Sequence, residues 1–512
     1  MKKFLRPALA VLAVAGVIAF KYWRAEPNGP AVARASHGRY VVPAGATAFT
    51  FGRLSFTACE LAQPRTSATT AAFCAPFEVP ENWDAPDGRK IALRLALVAS
   101  AEPADDDFVV MLAGGPGQSA IDNWPQVASA FAPAAKRRHV LLLDQRGTGQ
   151  SHPLTCKGAD NEILEGFDLD KLRATTRSCL EQVSRDADPR YYTTTMAVRD
   201  LEALREALGS PRFDLVGMSY GTRVAQQYLK RHPDGVRSVV LDSPAPNDLA
   251  IGGEFARNLD DALKAQFALC TQDAACAKAF GDPYASLRAL RDTLRAQPRE
   301  VSYPDPTTFA PARQRLDDYG LTGLVRLYAY MPETAALIPL AVREAAAGNF
   351  APLMGQLVMI SQAASELAGN GMQLSVLCAE DVDRIAPDPR DADTLLGTSL
   401  TQIFQAQCAI WPHGTRPADF TAPTTGDTPV LVLAGELDPV TPPRYGEAIV
   451  PHLSNARLIV AKGQSHNVIG RGCIPKLVGR FLDTLAPREL DASCVDALGP
   501  TPAFLDYNGA AP

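Results

Sequence analysis

The sequence predicts an α/β fold: a mostly parallel, doubly wound sheet with a helical segment inserted before its last strands. Three observations point there. Short continuous apolar runs, at Phe108 to Leu112, His139 to Leu143, Phe213 to Val216 and Val236 to Leu241, alternate with helical stretches at Met196 to Leu208 and Thr222 to Arg231. Such runs suit central parallel strands covered on both faces. After Asp242-Ser243-Pro244 the rhythm turns to Ala- and Leu-rich helical spacing up to about residue 425, broken by the Pro-rich Tyr303 to Pro311. The strand pattern then resumes at Pro429 to Leu433 and Arg457 to Val460, followed by a closing helix over Pro475 to Leu485.

Taken in order, the chain opens with Lys2, Lys3 and Arg6 before an apolar run from Ala8 to Phe20, with Lys21 and Arg24 behind it. A basic start and a short apolar stretch read as a signal segment over residues 1–24 and are short for a spanning helix. No small-residue cleavage site lies at the usual distance, so an uncleaved membrane tether through residues 4–20 stays open as the alternative. Residues 25–50, rich in Pro, Gly and Ala, read as a linker. Phe77 to Pro80 and Lys90 to Val98 alternate as half-buried strands do. The expected division is residues 25–250 for the first part of the sheet domain, 251–425 for a helical cap and 426–512 for the second part.

At 512 residues, with 46% hydrophobic and 21% charged residues, the composition is that of a globular enzyme. A net charge of -6 without a basic stripe excludes nucleic acid as a main partner. Nothing in the sequence speaks to oligomeric state. The ten cysteines form an even set with no C-x-x-C or Cys/His cluster. They point to disulfides in an exported protein, periplasmic or secreted, and no metal or organic cofactor is called for. Connectivity is open from sequence; pairing sequence neighbours (Cys59 with Cys74, Cys156 with Cys179, Cys270 with Cys276, Cys378 with Cys408, Cys473 with Cys494) closes five local loops and is the expected arrangement.

The chemistry centres on Gly217-Met218-Ser219-Tyr220-Gly221, a G-x-S-x-G segment between a strand and a helix. Flanking glycines permit a turn that lifts the serine hydroxyl above the sheet edge, and the Tyr220 N–H at the helix start can face an oxyanion. Ala113-Gly114-Gly115-Pro116-Gly117 follows an apolar strand and offers the Gly115 N–H as a second donor. A nucleophilic serine needs a base and an orienting acid, in the chain order Ser, acid, His. Of seven histidines, only His452 and His466 lie beyond the first resumed strand, Pro429 to Leu433. His452 precedes the last strand; His466 follows it and is the expected base. Asp438, after the preceding strand, is the expected acid, with Glu436 and Asp242 as rivals. Asp144-Gln145-Arg146-Gly147 reads as a structural turn braced by Arg146.

With these residues in view, the chain resembles the proline iminopeptidase and tripeptidyl aminopeptidase group of α/β-hydrolase fold serine peptidases. The matching stretches are A-G-G-P-G-Q-S at 113–119, L-D-Q-R-G-T-G-Q-S at 143–151, G-M-S-Y-G-T-R at 217–223, G-E-L-D-P-V-T-P-P at 435–443 and G-Q-S-H at 463–466. The S-Y-G-T and D-P-V-T-P stretches are nearer the secreted tripeptidyl branch; Ala113 departs from the cytosolic branch, which has histidine there. The resemblance implies an exopeptidase acting on peptides with a free N-terminus, and a cap carboxylate that holds the α-amino group. In the cluster Leu377 to Asp383, Glu380 is the first expectation for that carboxylate and Asp381 the second. The competing readings are a carboxylesterase on the same fold and a catalytically dead binding protein.

Overall fold

The computed structural model describes residues 40–62, 67–103, 107–156, 164, 166–209, 211–367 and 370–510. The expected signal segment or tether therefore lies outside the described residues. Within them, no helix is long and apolar enough to cross a membrane.

Among the described residues one sheet has ten strands. Four enter from the N-terminal side: β1 (Ala48–Phe51), β2 (Leu54–Ala62), β3 (Thr69–Pro80) and β4 (Lys90–Val98). They pair antiparallel in succession, and β4 pairs antiparallel with β6 (His139–Leu143). From there the sheet is parallel through β6, β5 (Phe108–Leu112), β7 (Phe213–Met218), β8 (Val236–Asp242), β11 (Val430–Gly435) and β12 (Ala456–Ala461). The segment between β8 and β11 adds a separate hairpin, β9 (Arg299–Pro304) with β10 (Pro311–Leu316).

Every residue of β5, β6, β7 and β11 is buried, as their unbroken apolar runs require. Two apolar clusters cover the two faces of the sheet. Phe108, Val110, Leu141 and Leu215 belong to one; Val109, Met111, Leu142 and Val216 belong to the other, which is closed by the helices Ala120–Ala135 and Ile474–Thr484. The period-two split places successive residues of one strand on opposite faces.

Two sequence expectations change in detail. The start of the sheet lies earlier than Phe77: residues 48–62 form β1 and β2, where Ser, Thr and Glu dilute the apolar alternation. The expected helical cap carries the β9–β10 hairpin at its Pro-rich break. Its apolar residues also divide. Leu259, Leu263, Leu287, Leu321 and Leu353 build a third cluster of their own, while Met372, Val376, Leu377, Phe404 and Trp411 join the sheet. The disulfides are Cys59–Cys74, Cys156–Cys179, Cys270–Cys276, Cys378–Cys408 and Cys473–Cys494, the sequence-neighbour arrangement.

Candidate active site

Ser219 stands between β7 and the helix Tyr220–Arg231 with φ 54° and ψ -121°. A non-glycine residue there is strained by about 1–3 kcal/mol and is held only by its surroundings. Here the Ser219 N–H donates to the Asp242 carbonyl at 2.9 Å. The motif glycines allow the close approach: a Cβ on Gly221 would lie 2.1 Å from the Leu112 carbonyl oxygen, and one on Gly217 2.5 Å from that of Gly221. The side chain of Ser219 makes no capping hydrogen bond to the helix it opens, while its carbonyl accepts the Thr222 N–H at 2.9 Å. The Gly114–Gly117 turn packs against this elbow; a Cβ on Gly114 would be 3.1 Å from the Ser219 Cβ.

Two and three strands away, β11 and β12 carry the other members. His466 Nδ1 lies 2.8 Å from Asp438 Oδ2, and both residues are buried. Asp438 Oδ1 accepts the N–H groups of Val440 and Thr441, each at 2.8 Å, while the Thr441 hydroxyl donates to Oδ2 at 3.0 Å. Burial alone would raise the Asp438 carboxyl, but the adjoining imidazole and these donors hold it below its ordinary value. Burial likewise would lower His466; the Asp438 charge outweighs it, and its pKa is raised above 6.5.

The rivals to Asp438 have other work. Asp242, pushed up to about 6 by burial, accepts the N–H groups of Val468 (2.9 Å) and Ile469 (3.2 Å) and so pins the loop that carries His466. Glu436 accepts the Gly463 N–H at 2.8 Å. Arg146 is fully buried, paired with both oxygens of Asp200 (2.6 and 2.5 Å) and donating to the Glu81 and Tyr191 carbonyls, the bracing role its sequence suggests. Asp144 ties the Gly-rich turn to β6 by accepting the Ser119 hydroxyl at 2.6 Å.

The acidic pair expected to meet a substrate ammonium, Glu380 and Asp381, is fully buried and bonded inside the protein. Asp381 receives both oxygens' worth of bonds from Arg223 (3.1 and 2.9 Å) and a third from Arg384 at 2.7 Å. Glu380 accepts the Thr194 N–H at 2.7 Å and its hydroxyl at 2.8 Å, with Arg223 only at 3.9 Å. Burial pushes Glu380 up to about 7. The Thr194 hydroxyl also meets Tyr220 Oη at 2.7 Å, and Gln145 donates to Tyr220 at 3.2 Å, so this cluster supports the elbow from behind. Sequence reading missed Thr441, Thr194 and Gln145; only Thr441 had a local signal, three residues after an Asp at a strand end.

The family described as alpha/beta hydrolase fold matches residues 107–470. The chain belongs to the α/β-hydrolase fold family. It is an enzyme of this family's serine hydrolase kind, with the serine on the strand-to-helix turn. Its relatives include the serine protease Hip1 of Mycobacterium tuberculosis, 26% identical over 485 residues that cover 84% of this chain and 88% of that protein. The tripeptidyl aminopeptidase of Streptomyces coelicolor is 25% identical over 470 residues, covering 84% of each. Carboxylesterase B of Mycobacterium tuberculosis is 26% identical over 494 residues, covering 85% of this chain and 89% of that one. Among solved structures, a proline iminopeptidase of Mycobacterium smegmatis is 18% identical with a TM-score of 0.39, covering 80% of this chain and 98% of that one. Among the described residues no group of His, Cys, Asp and Glu side chains could hold a metal ion.

Proposed function

We propose that the chain is an exported serine peptidase that releases short pieces from the free N-terminus of peptides through Ser219, His466 and Asp438. The observation that carries the chemistry is a strained serine elbow on the same sheet edge as a buried His466–Asp438 hydrogen bond. His466, oriented through Nδ1 by Asp438, takes the Ser219 proton on Nε2 as Oγ attacks the scissile carbonyl. The N–H groups of Gly115 and Tyr220 hold the oxyanion. The same imidazole then protonates the leaving amine, and water, activated in the same way, frees the acyl product.

Peptide as substrate is supported by the tripeptidyl-type motifs and by relatives named as a serine protease and a tripeptidyl aminopeptidase. Export is supported by five disulfides, which persist in oxidising compartments. A second reading, carboxylesterase, has support from the relative of that name. Turnover of free and N-blocked peptidyl anilides against simple esters tests the assignment. Preference for the free peptides supports it; equal turnover of blocked and free peptides, or ester turnover alone, contradicts it.

A further inference from the structure

The loop that carries His466 is gripped from outside the sheet at three places. The turn after the helix Asp318–Tyr328 lies directly over the base: the His466 N–H donates to the Tyr330 carbonyl at 3.1 Å, and the Tyr330 ring stands edge-on to the imidazole, centroids 5.1 Å apart and planes at 78°. Three residues on, Glu333 takes both guanidinium nitrogens of Arg471, at 2.5 and 3.1 Å, five residues past the histidine. The C-terminal tail closes the third side. Gln464 donates to the Gly499 carbonyl at 2.8 Å, a Cβ on Gly463 would lie 2.1 Å from Pro500 N, and the Phe504 N–H then donates to the Ala336 carbonyl at 3.0 Å.

We infer that the Tyr330–Ala336 turn of the inserted segment is a latch on the base-bearing loop, and that Tyr330 is a positioning residue that fixes and shields the His466 imidazole. The inference rests on the proposed role of His466. A backbone bond alone would hold the loop but leave the ring free to tilt about its side-chain torsions. Asp438 fixes one edge of the imidazole, and the Tyr330 ring limits rotation about that hydrogen bond and covers a face that water would otherwise wet. An error of about 1 Å in such a group costs up to about 100-fold in rate. The same contact makes the inserted segment part of the catalytic geometry, because displacing the turn would loosen the base.

The groups that set the charge state of His466 are Asp438 from the loop after β11, Asp242 from the end of β8, and Tyr330 from the inserted turn. Tyr330 supplies cover, and cover disfavours the imidazolium. In Tyr330→Ala the acid limb of the pH profile therefore moves to higher pH, and the rate of labelling by a fluorophosphonate at pH 8 falls about tenfold. Tyr330→Phe keeps the ring edge and restores both values. Tyr330→Leu, which retains bulk without an aromatic edge, gives an intermediate profile and serves where the alanine variant fails to fold. An acid limb and labelling rate unchanged in a folded Tyr330→Ala or Tyr330→Leu would overturn the latch. Labelling that survives in Ser219→Ala would instead overturn the triad reading on which it rests.

Discussion

Asp438 and Glu380 are both fully buried carboxylates at the edges of the same site, yet they are driven in opposite directions. Asp438 is held below its ordinary pKa, whereas Glu380 is pushed up to about 7. Burial acts alike on both, so the donors decide. Asp438 has two backbone amides, a hydroxyl and an imidazole that can carry the compensating charge. Glu380 has one amide, one hydroxyl and a guanidinium at 3.9 Å that it shares with Asp381, whose own charge pushes it further up. A carboxylate with an imidazole of its own is kept charged; one that shares its counter-charge with a second carboxylate is not.

The largest effect that bears on this contrast is expected at Asp438. Asp438→Asn removes the charge that favours the imidazolium and misorients the ring, and kcat should fall about 10⁴-fold. Its residual acid limb should move to lower pH, since burial is then opposed only by the Asp242 charge. Steady-state kinetics across pH would check both parts; a loss below about tenfold would assign the acid elsewhere.

Next comes the Arg223–Asp381 pair. Asp381→Asn strands a buried guanidinium, and breaking such a pair costs about 3–5 kcal/mol of stability. Urea unfolding should show that loss. If instead stability is unchanged and the KM for free-amine peptides rises, Asp381 would return as a substrate ligand.

Glu380→Gln separates an internal role from a ligand role more gently. The native carboxyl binds its proton more tightly than the unfolded one, whose ordinary value is 4.5. Wild-type stability therefore falls as pH rises from about 4.5 to about 7 and is flat for this group above that. The glutamine variant lacks this slope, so its stability relative to wild type should rise between about pH 4.5 and about pH 7. Its preference for free over blocked peptides should match wild type within about twofold, and a collapse of that preference would make Glu380 a ligand after all. The smallest effect is expected for Glu436→Gln, which retains an acceptor for the Gly463 N–H: activity within about twofold of wild type. A large loss there would revive Glu436 as the acid.

Much of this site was legible because its signals are local. The G-x-S-x-G turn sits at a strand-to-helix junction, and position after the last strand selects His466 over His452. Asp438 was the first choice from its place at a strand end, and the folded loop separates it from its rival: Asp438 reaches Nδ1, while Glu436 accepts the Gly463 N–H. The internal partners of the Glu380–Asp381 cluster were hidden in its run of acids: Thr194 and Arg223 are more than 150 positions away in sequence. Tyr330 was invisible for the same reason, lying far from His466 in sequence and meeting it only through the fold. In the sheet, the buried strands announced themselves by unbroken apolar runs, while β1 and β2 alternate with Ser, Thr and Glu and resemble a loop.

The central claim is that Ser219 is the nucleophile and that His466, tuned by Asp438, activates it. Its most direct test follows the rate of fluorophosphonate adduct formation against pH, with peptide mapping by mass spectrometry. The adduct should map to Ser219 alone, vanish in Ser219→Ala, and form with an acid limb above pH 6.5 that moves down in Asp438→Asn. An adduct on another residue, or a limb that Asp438→Asn leaves in place, would contradict the account.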